Sequence, residues 1–307
     1  MTNKERYASF CVRHPDMPIM FQPWWLDAVC AGKEWDVLLF TREDLDSAQS
    51  KDHGAKTGEV LAAMPYMLRK LLGYTFIIMP QMTMFGGAWI DQDINADPNK
   101  QQRLAELIMM RIKELKVAFY MQDFSIGSPM PHWLKKKRFN TREICYNIIS
   151  PDISTANVHT SDSPKQNDSI TAETFYRFHS DCLKAQGLKI NYSREFLIVL
   201  ERKSSRSGKS DFVRVCSSDG KMQAAAFLVW DNNALYPLIT CATATHDADI
   251  DNQLNQLIAE KALSLGVNIV YPESLSATGQ THYRVWKFVN PWLAPFFYFA
   301  YRTALVK

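Results

Sequence analysis

The chain has 307 residues, 47% of them hydrophobic, and a formal net charge of +3. That length holds two ordinary domains or one large domain made of two similar halves, and that apolar content excludes global disorder. So small a basic excess is no DNA footprint, and a polar N-terminus without any uncharged run of membrane-span length places the protein in the cytoplasm with no integral membrane segment.

Six cysteines are scattered without a C-x-x-C pair, so neither a zinc ribbon nor a disulfide framework is expected, and they read as buried free thiols. Residues 1–20, broken by Pro15 and Pro18, read as a lead-in with one strand or short helix. In FQPWWLDAV, Pro23 suits the first turn of a helix. Adjacent tryptophans on a helix cannot face the same way, so one of Trp24 and Trp25 packs inward and the other lines a cleft or covers an edge. A strand over 35–40 precedes a polar insert to Thr57. Strands follow over 59–68 and 74–80, and the segment from Gln81 turns away with Gly86-Gly87 as a tight bend or a close backbone approach. An amphipathic helix over 99–115 buries Leu104, Leu107, Ile108, Ile112 and Leu115. It feeds a strand over 117–124, a short helix from Pro131 and a strand over 142–149. The run Lys135 to Arg138 is either a solvated helix end or a site for an anion such as phosphate or an RNA backbone.

Residues 152–168 are rich in Ser, Thr, Asn and Asp and read as a hinge, so the expected organisation is one lobe over 1–152 and a second over 169–307. The second lobe begins with helices over 169–187, capped by Ser169 or Thr171, and 193–203, capped by Ser193. Hairpin strands over 211–217, 221–230 and 234–241 follow, then a helix over 253–265 and a strand over 267–271. A short helix over 282–289 and an aromatic strand over 295–303 close the chain. The halves repeat one order of elements. GEVLAAMPYML aligns with GKMQAAAFLVW, the Asn99 helix with the Asn252 helix, VAFYMQDFS with VNIVYPES, and PHWLKKKRF with THYRVWKFV, which is the pattern of a duplicated α+β lobe.

On FQPWWLDAV, EVLAAMPY, MPQMTMFGGAWI and AAAFLVWD with its following LYPLIT, the chain resembles the Fem-type transferases, which carry two fused GNAT-like acyltransferase lobes. The resemblance covers most of residues 20–307. It implies an α+β fold of two tandem GNAT-like lobes, each a mixed, mainly antiparallel sheet flanked by helices. It further implies transfer of an acyl or aminoacyl group to a small-molecule or cell-envelope amine, with acyl-CoA or aminoacyl-tRNA as donor and tRNA as a partner. Two departures stand out. The glycine-rich loop that holds the coenzyme A pyrophosphate in GNAT enzymes is replaced by HDADIDN over 246–252, where three aspartates repel an anion. The relatives' F-D-F-E-G-S pattern is here IVYPES, which keeps only Glu273 and Ser274.

Such a transfer needs orientation, a donor for the developing oxyanion, and a base, but no covalent nucleophile. Glu273 is the candidate to bind or deprotonate the amine, with pairing to Arg284 as the structural alternative. Tyr283 and Lys287, four apart on the expected helix, can present a donor and a positive charge together, and Lys287 can equally be a solvated stem. Trp24, Trp25, Gln81, Asp123 and Ser274 complete the expected substrate-binding set, with Asp123 the first-half counterpart of Glu273. The seven histidines show no metal spacing and read as surface or capping residues. Two readings compete with Fem-like transfer: a GNAT enzyme with an atypical coenzyme A loop, and a non-catalytic binding protein on the same fold.

Overall fold

The computed structural model describes residues 2–30, 33–46, 58–71, 73–151, 170–244, 248–271 and 280–289. The polar insert beyond Asp46, the whole of the expected hinge, and the aromatic strand over 295–303 lie outside them. The chain divides into two compact units, Met1–Ile144 with Thr281–Lys307, and Cys145–Gln280.

The first unit opens with α1 (Asn3–Arg13), a helix where the sequence offered a lead-in with one strand or short helix. Its start is set by a capping box, in which Thr2 Oγ1 accepts from the Glu5 amide and Glu5 accepts from the Thr2 amide. Then come α2 (Pro23–Val29), β1 (Glu34–Thr41), α3 (Arg42–Asp46), β2 (Val60–Leu71), β3 (Tyr74–Ile78), the short β4 (Trp89–Ile90) and α4 (Gln92–Asn95). The helix α5 (Pro98–Glu114) starts where Asp97 accepts from the amides of Asn99 and Lys100, and β5 (Phe119–Asp123) and α6 (Met130–Lys136) follow. The apolar stripe of α5 is buried as its spacing predicts, at Leu104, Leu107, Ile108 and Ile112, against Met64, Tyr120 and Phe124. Strands β1, β2 and β3 pair antiparallel, whereas β3 and β5 run parallel at Phe76↔Phe119 and Ile77↔Tyr120.

The second unit repeats this order. Its elements are α7 (Ala172–Ala185, capped by Thr171), α8 (Arg194–Arg206, capped by Ser193), β7 (Ser210–Cys216), β8 (Met222–Trp230), β9 (Ala234–Ala242), α9 (Ala248–Leu265) and β10 (Asn268–Tyr271). Central β8 is fully buried from Ala224 to Val229, as a strand covered on both faces must be. Ala224, Ala226 and Leu228 face Leu254, Ile258 and Ala262 of α9, while Phe227 stacks through Phe212 onto Phe175 of α7. The turn into β9 is locked by Asp231, whose carboxylate accepts from the amides of Asn233 and Ala234 and from Tyr236 Oη.

The last strands correct the sequence reading. Residues 282–289 were expected as a helix aligned with that of Pro131, but they form β11 (Gln280–Phe288), antiparallel to β5 of the first unit from Arg284↔Asp123 to Phe288↔Phe119. In the repeat, β11 therefore corresponds to β6 (Asn140–Ile149), whose residues Asn147 to Ile149 pair with β10. The alternation in HYRVWKF satisfies either periodicity over so short a run, and only the open edge of β5 selects the strand. The sequence assigned everything from 169 onward to one lobe, whereas pairing returns β11 to the first unit.

Candidate functional site

In each unit the one parallel strand pair is the place where the sheet parts. In the second unit β9 and β10 pair only at Asn268↔Ala234 and Ile269↔Leu235. Beyond that point β9 stays with β8 and β10 stays with β6. The register between β8 and β9 shifts from Leu228↔Pro237 to Phe227↔Ile239, so Leu238 is an extra residue that bends β9 at the divergence. Pro237, which has no amide hydrogen to donate, sits beside this bulge.

A cleft of about 280 Å³ occupies the gap. Thr240, Cys241 and Ala242 line it from the end of β9, Tyr271 from the end of β10, and Asp251 and Asn255 from the first turns of α9. From α7 come His179, Cys182, Leu183 and Gln186, a spacing of three, four and seven that puts them on one helix face. His179 Nδ1 and Tyr192 Oη share a hydrogen bond of 2.6 Å. Burial pushes His179 below its ordinary value and pushes Tyr192 up, so at neutral pH the ring is uncharged and the phenol holds its proton. With Nδ1–H donated to Tyr192 Oη, the ring presents Nε2 as a proton acceptor. Cys182 and Cys241 are free, and burial raises both thiols. Asp249 and Asp251 stand in the first turn of α9, where they favour the helix and disfavour an added anion.

The corresponding gap in the first unit is filled by the chain itself. The Gly86 amide donates to Asp123 O at 2.6 Å, the Asp123 amide lies 3.4 Å from Met79 Sδ, and Met84, Phe85 and Ala88 are buried. Gly87 has φ +75, and a Cβ there would stand 2.5 Å from Phe124 Cδ1, so the Gly-Gly pair serves a close backbone approach to β5.

The residues singled out from the sequence fall into separate groups. Trp25 is fully buried and donates from Nε1 to Thr83 Oγ1 at 3.2 Å, while Trp24 is half-buried with its ring edge-on to Trp25. Gln81 is exposed and its carbonyl accepts from Thr83 Oγ1. Asp123 is 5% exposed and takes a bidentate pair from Arg284, at 2.7 and 2.8 Å. Arg284, offered as a partner for Glu273, binds Asp123, and its pairing with Glu273 falls outside the described residues. Tyr283 and Lys287 share a face of a strand and not of a helix. Tyr283 Oη donates to Glu143 Oε1 at 3.2 Å, and Lys287 Nζ donates to Lys137 O at 3.0 Å. Glu273, Ser274 and residues 245–247 of the acidic loop lie outside the described residues. His179, Tyr192, Asn255 and Tyr271 were not singled out. For His179 the one sequence signal is the mixed polar and apolar face of α7, which periodicity alone cannot tell from a solvated edge.

Among the described residues no group of three or more His, Cys, Asp or Glu is placed to hold a metal ion, and no helix is long and apolar enough to cross a membrane.

This architecture is that of two tandem GNAT-like lobes. The solved structure of FemX matches 96% of this chain and 98% of its own, with TM-score 0.62 and 11% identity. A tandem GNAT protein from the clavulanic acid biosynthesis pathway, solved without AcCoA, matches over 85% of each chain, with TM-score 0.51 and 8% identity. No family model matches the chain, and no curated protein matches it. At these identities the likeness is one of fold, and the fold is the Fem-type arrangement.

Proposed function

We propose that the protein is an N-acyltransferase of Fem-like type, working in the cleft between β9 and β10. The observation that carries this is the open divergence of those strands, with a neutral, tyrosine-held histidine at its edge. An extended acyl group enters between two strands at the cost of no sheet hydrogen bonds, because the strands have already parted. The acceptor amine attacks the carbonyl carbon of the donor, and the bond from that carbon to the donor's ester oxygen or thioester sulfur breaks. His179 takes the proton released by the amine, and the leaving group takes one from water. In this reading main-chain amides at the end of β9 donate to the developing oxyanion.

Asp249 and Asp251 favour an aminoacyl ester such as aminoacyl-tRNA over acyl-CoA, whose pyrophosphate would meet them at the start of α9. A cell-envelope precursor is the acceptor class in keeping with the Fem-type fold. Glu273 and Ser274 follow β10 directly in sequence and remain proposed contributors to amine binding. The reading is tested by offering the protein a panel of aminoacyl-tRNAs and acetyl-CoA with amine acceptors. Transfer from the ester donors that falls about a hundredfold or more in His179→Gln, within the range for one acid-base group, supports it. Turnover unaffected by that substitution, or no transfer from any donor, removes it.

A further inference from the structure

A second cavity in the second unit, of about 340 Å³, shares no lining residue with the cleft. Glu173, Tyr176, Arg177, Ser180 and Asp181 line it from α7, at the spacings of three, four, seven and eight that share one helix face, and Arg194 lines it from the first turn of α8. Two of these side chains are held by neighbours. Arg194 Nη1 lies 3.8 Å from Glu173 Oε1, which ties the start of α8 to the start of α7. Tyr176 packs edge-on against buried Tyr192, with ring centroids 5.8 Å apart. Arg177 and Asp181 stand one turn apart on the lining face, about 6 Å along the axis, yet do not pair. Among the described residues neither has an ion-pair partner.

Charges that serve only a solvated helix follow its dipole, with acids towards the N-terminus and bases towards the C-terminus, and pair best with the acid four residues before the base. Arg177 and Asp181 reverse that order, so helix stability does not account for them. The lining is also balanced in charge, with two guanidiniums and two carboxylates, which disfavours a polyanion such as a nucleotide. We infer that this cavity binds the zwitterionic head of a free α-amino acid. The planar fork of Arg177 suits the two oxygens of its carboxylate, and Asp181 accepts from its ammonium. Ser180 Oγ and Tyr176 Oη supply neutral hydrogen-bonding groups beside them. Binding here is independent of any transfer in the cleft.

Calorimetry of the full chain tests this with glycine, L-alanine and L-lysine as probes, and with propionate and ethylamine as ligands that keep only one of the two charges. Saturable binding of at least one amino acid is expected, weakened about tenfold by Arg177→Gln and by Asp181→Asn, the loss of one charged hydrogen bond in each case. Propionate and ethylamine should each bind at least about tenfold more weakly than that amino acid, for the same reason. Arg202→Gln, an equal charge deletion at an exposed position eight residues along α8 that does not line the cavity, should leave binding unchanged. No binding of any amino acid, binding that survives Arg177→Gln and Asp181→Asn, equal weakening by Arg202→Gln, or propionate binding as tightly as the amino acid overturns the proposal.

Discussion

The two lobes part their sheets at the same step of the same topology, yet among the described residues only the second leaves the gap unfilled. In the first, the segment between β3 and β4 folds back, gives an amide to Asp123 O and seats Phe85 and Ala88 in the core. In the second, the gap is lined by side chains from four elements, α7, β9, α9 and β10. The comparison teaches that a duplicated fold carries its site only where the chain leaves the divergence unfilled. Asp123 and the end of β10 are topological equivalents, but the buried Asp123 is neutralised by a bidentate, partly exposed arginine, which makes it a structural carboxylate.

Substitutions that act on one gap should leave the other intact. The largest effect is expected from Arg284→Met, which strands the buried Asp123 charge. Removing one partner of a buried pair costs about 3–5 kcal/mol, and partial exposure of Arg284 favours the lower end. Urea unfolding measures it, and adding Asp123→Asn should restore part of the loss. Next, Gly87→Ala should destabilise by about 1–3 kcal/mol, because the new methyl overlaps Phe124 at positive φ. Gly86→Ala, whose Cβ would meet nothing closer than 3.6 Å, should cost less in the same thermal melts.

Filling the second gap reverses the pattern. Thr240 is exposed at the cleft, so Thr240→Trp should lower acyl transfer about tenfold while shifting stability by no more than about 0.5 kcal/mol. An equal loss of folding and transfer would show that the cleft is part of the core. The smallest effect concerns pH. The folded-state value of His179 is depressed, so below its unfolded value of about 6.5 the unfolded chain binds more protons than the folded one. Stability should therefore fall as pH drops from about 6.5 towards the folded value, and His179→Gln should flatten that slope in unfolding titrations.

Much of this fold was legible in the chain. The apolar stripe of α5, the caps at Thr171 and Ser193, the hairpin turn at Asp219-Gly220 and the buried run of β8 are local patterns with local causes, and each stands where the residues indicated. The inward choice between Trp24 and Trp25 was legible as a choice but not as an answer. Less of the candidate site could be read, because its parts are 92 residues apart in sequence from His179 to Tyr271. Lys287 and Tyr283 illustrate the limit from the other side: a spacing of four puts two residues on one face of a strand as well as of a helix.

The sequence by itself determined the duplicated lobe, most of the order of its strands and helices, and the acidic start of α9, since periodicity, caps and turn residues act over a few positions. Only the tertiary structure decided that β11 completes the first unit beside β5, that among the described residues the first gap is closed and the second open, and that Arg284 binds Asp123. Those outcomes depend on which strand edge is unpaired and which space is already filled, and neither is a property of any short stretch of chain.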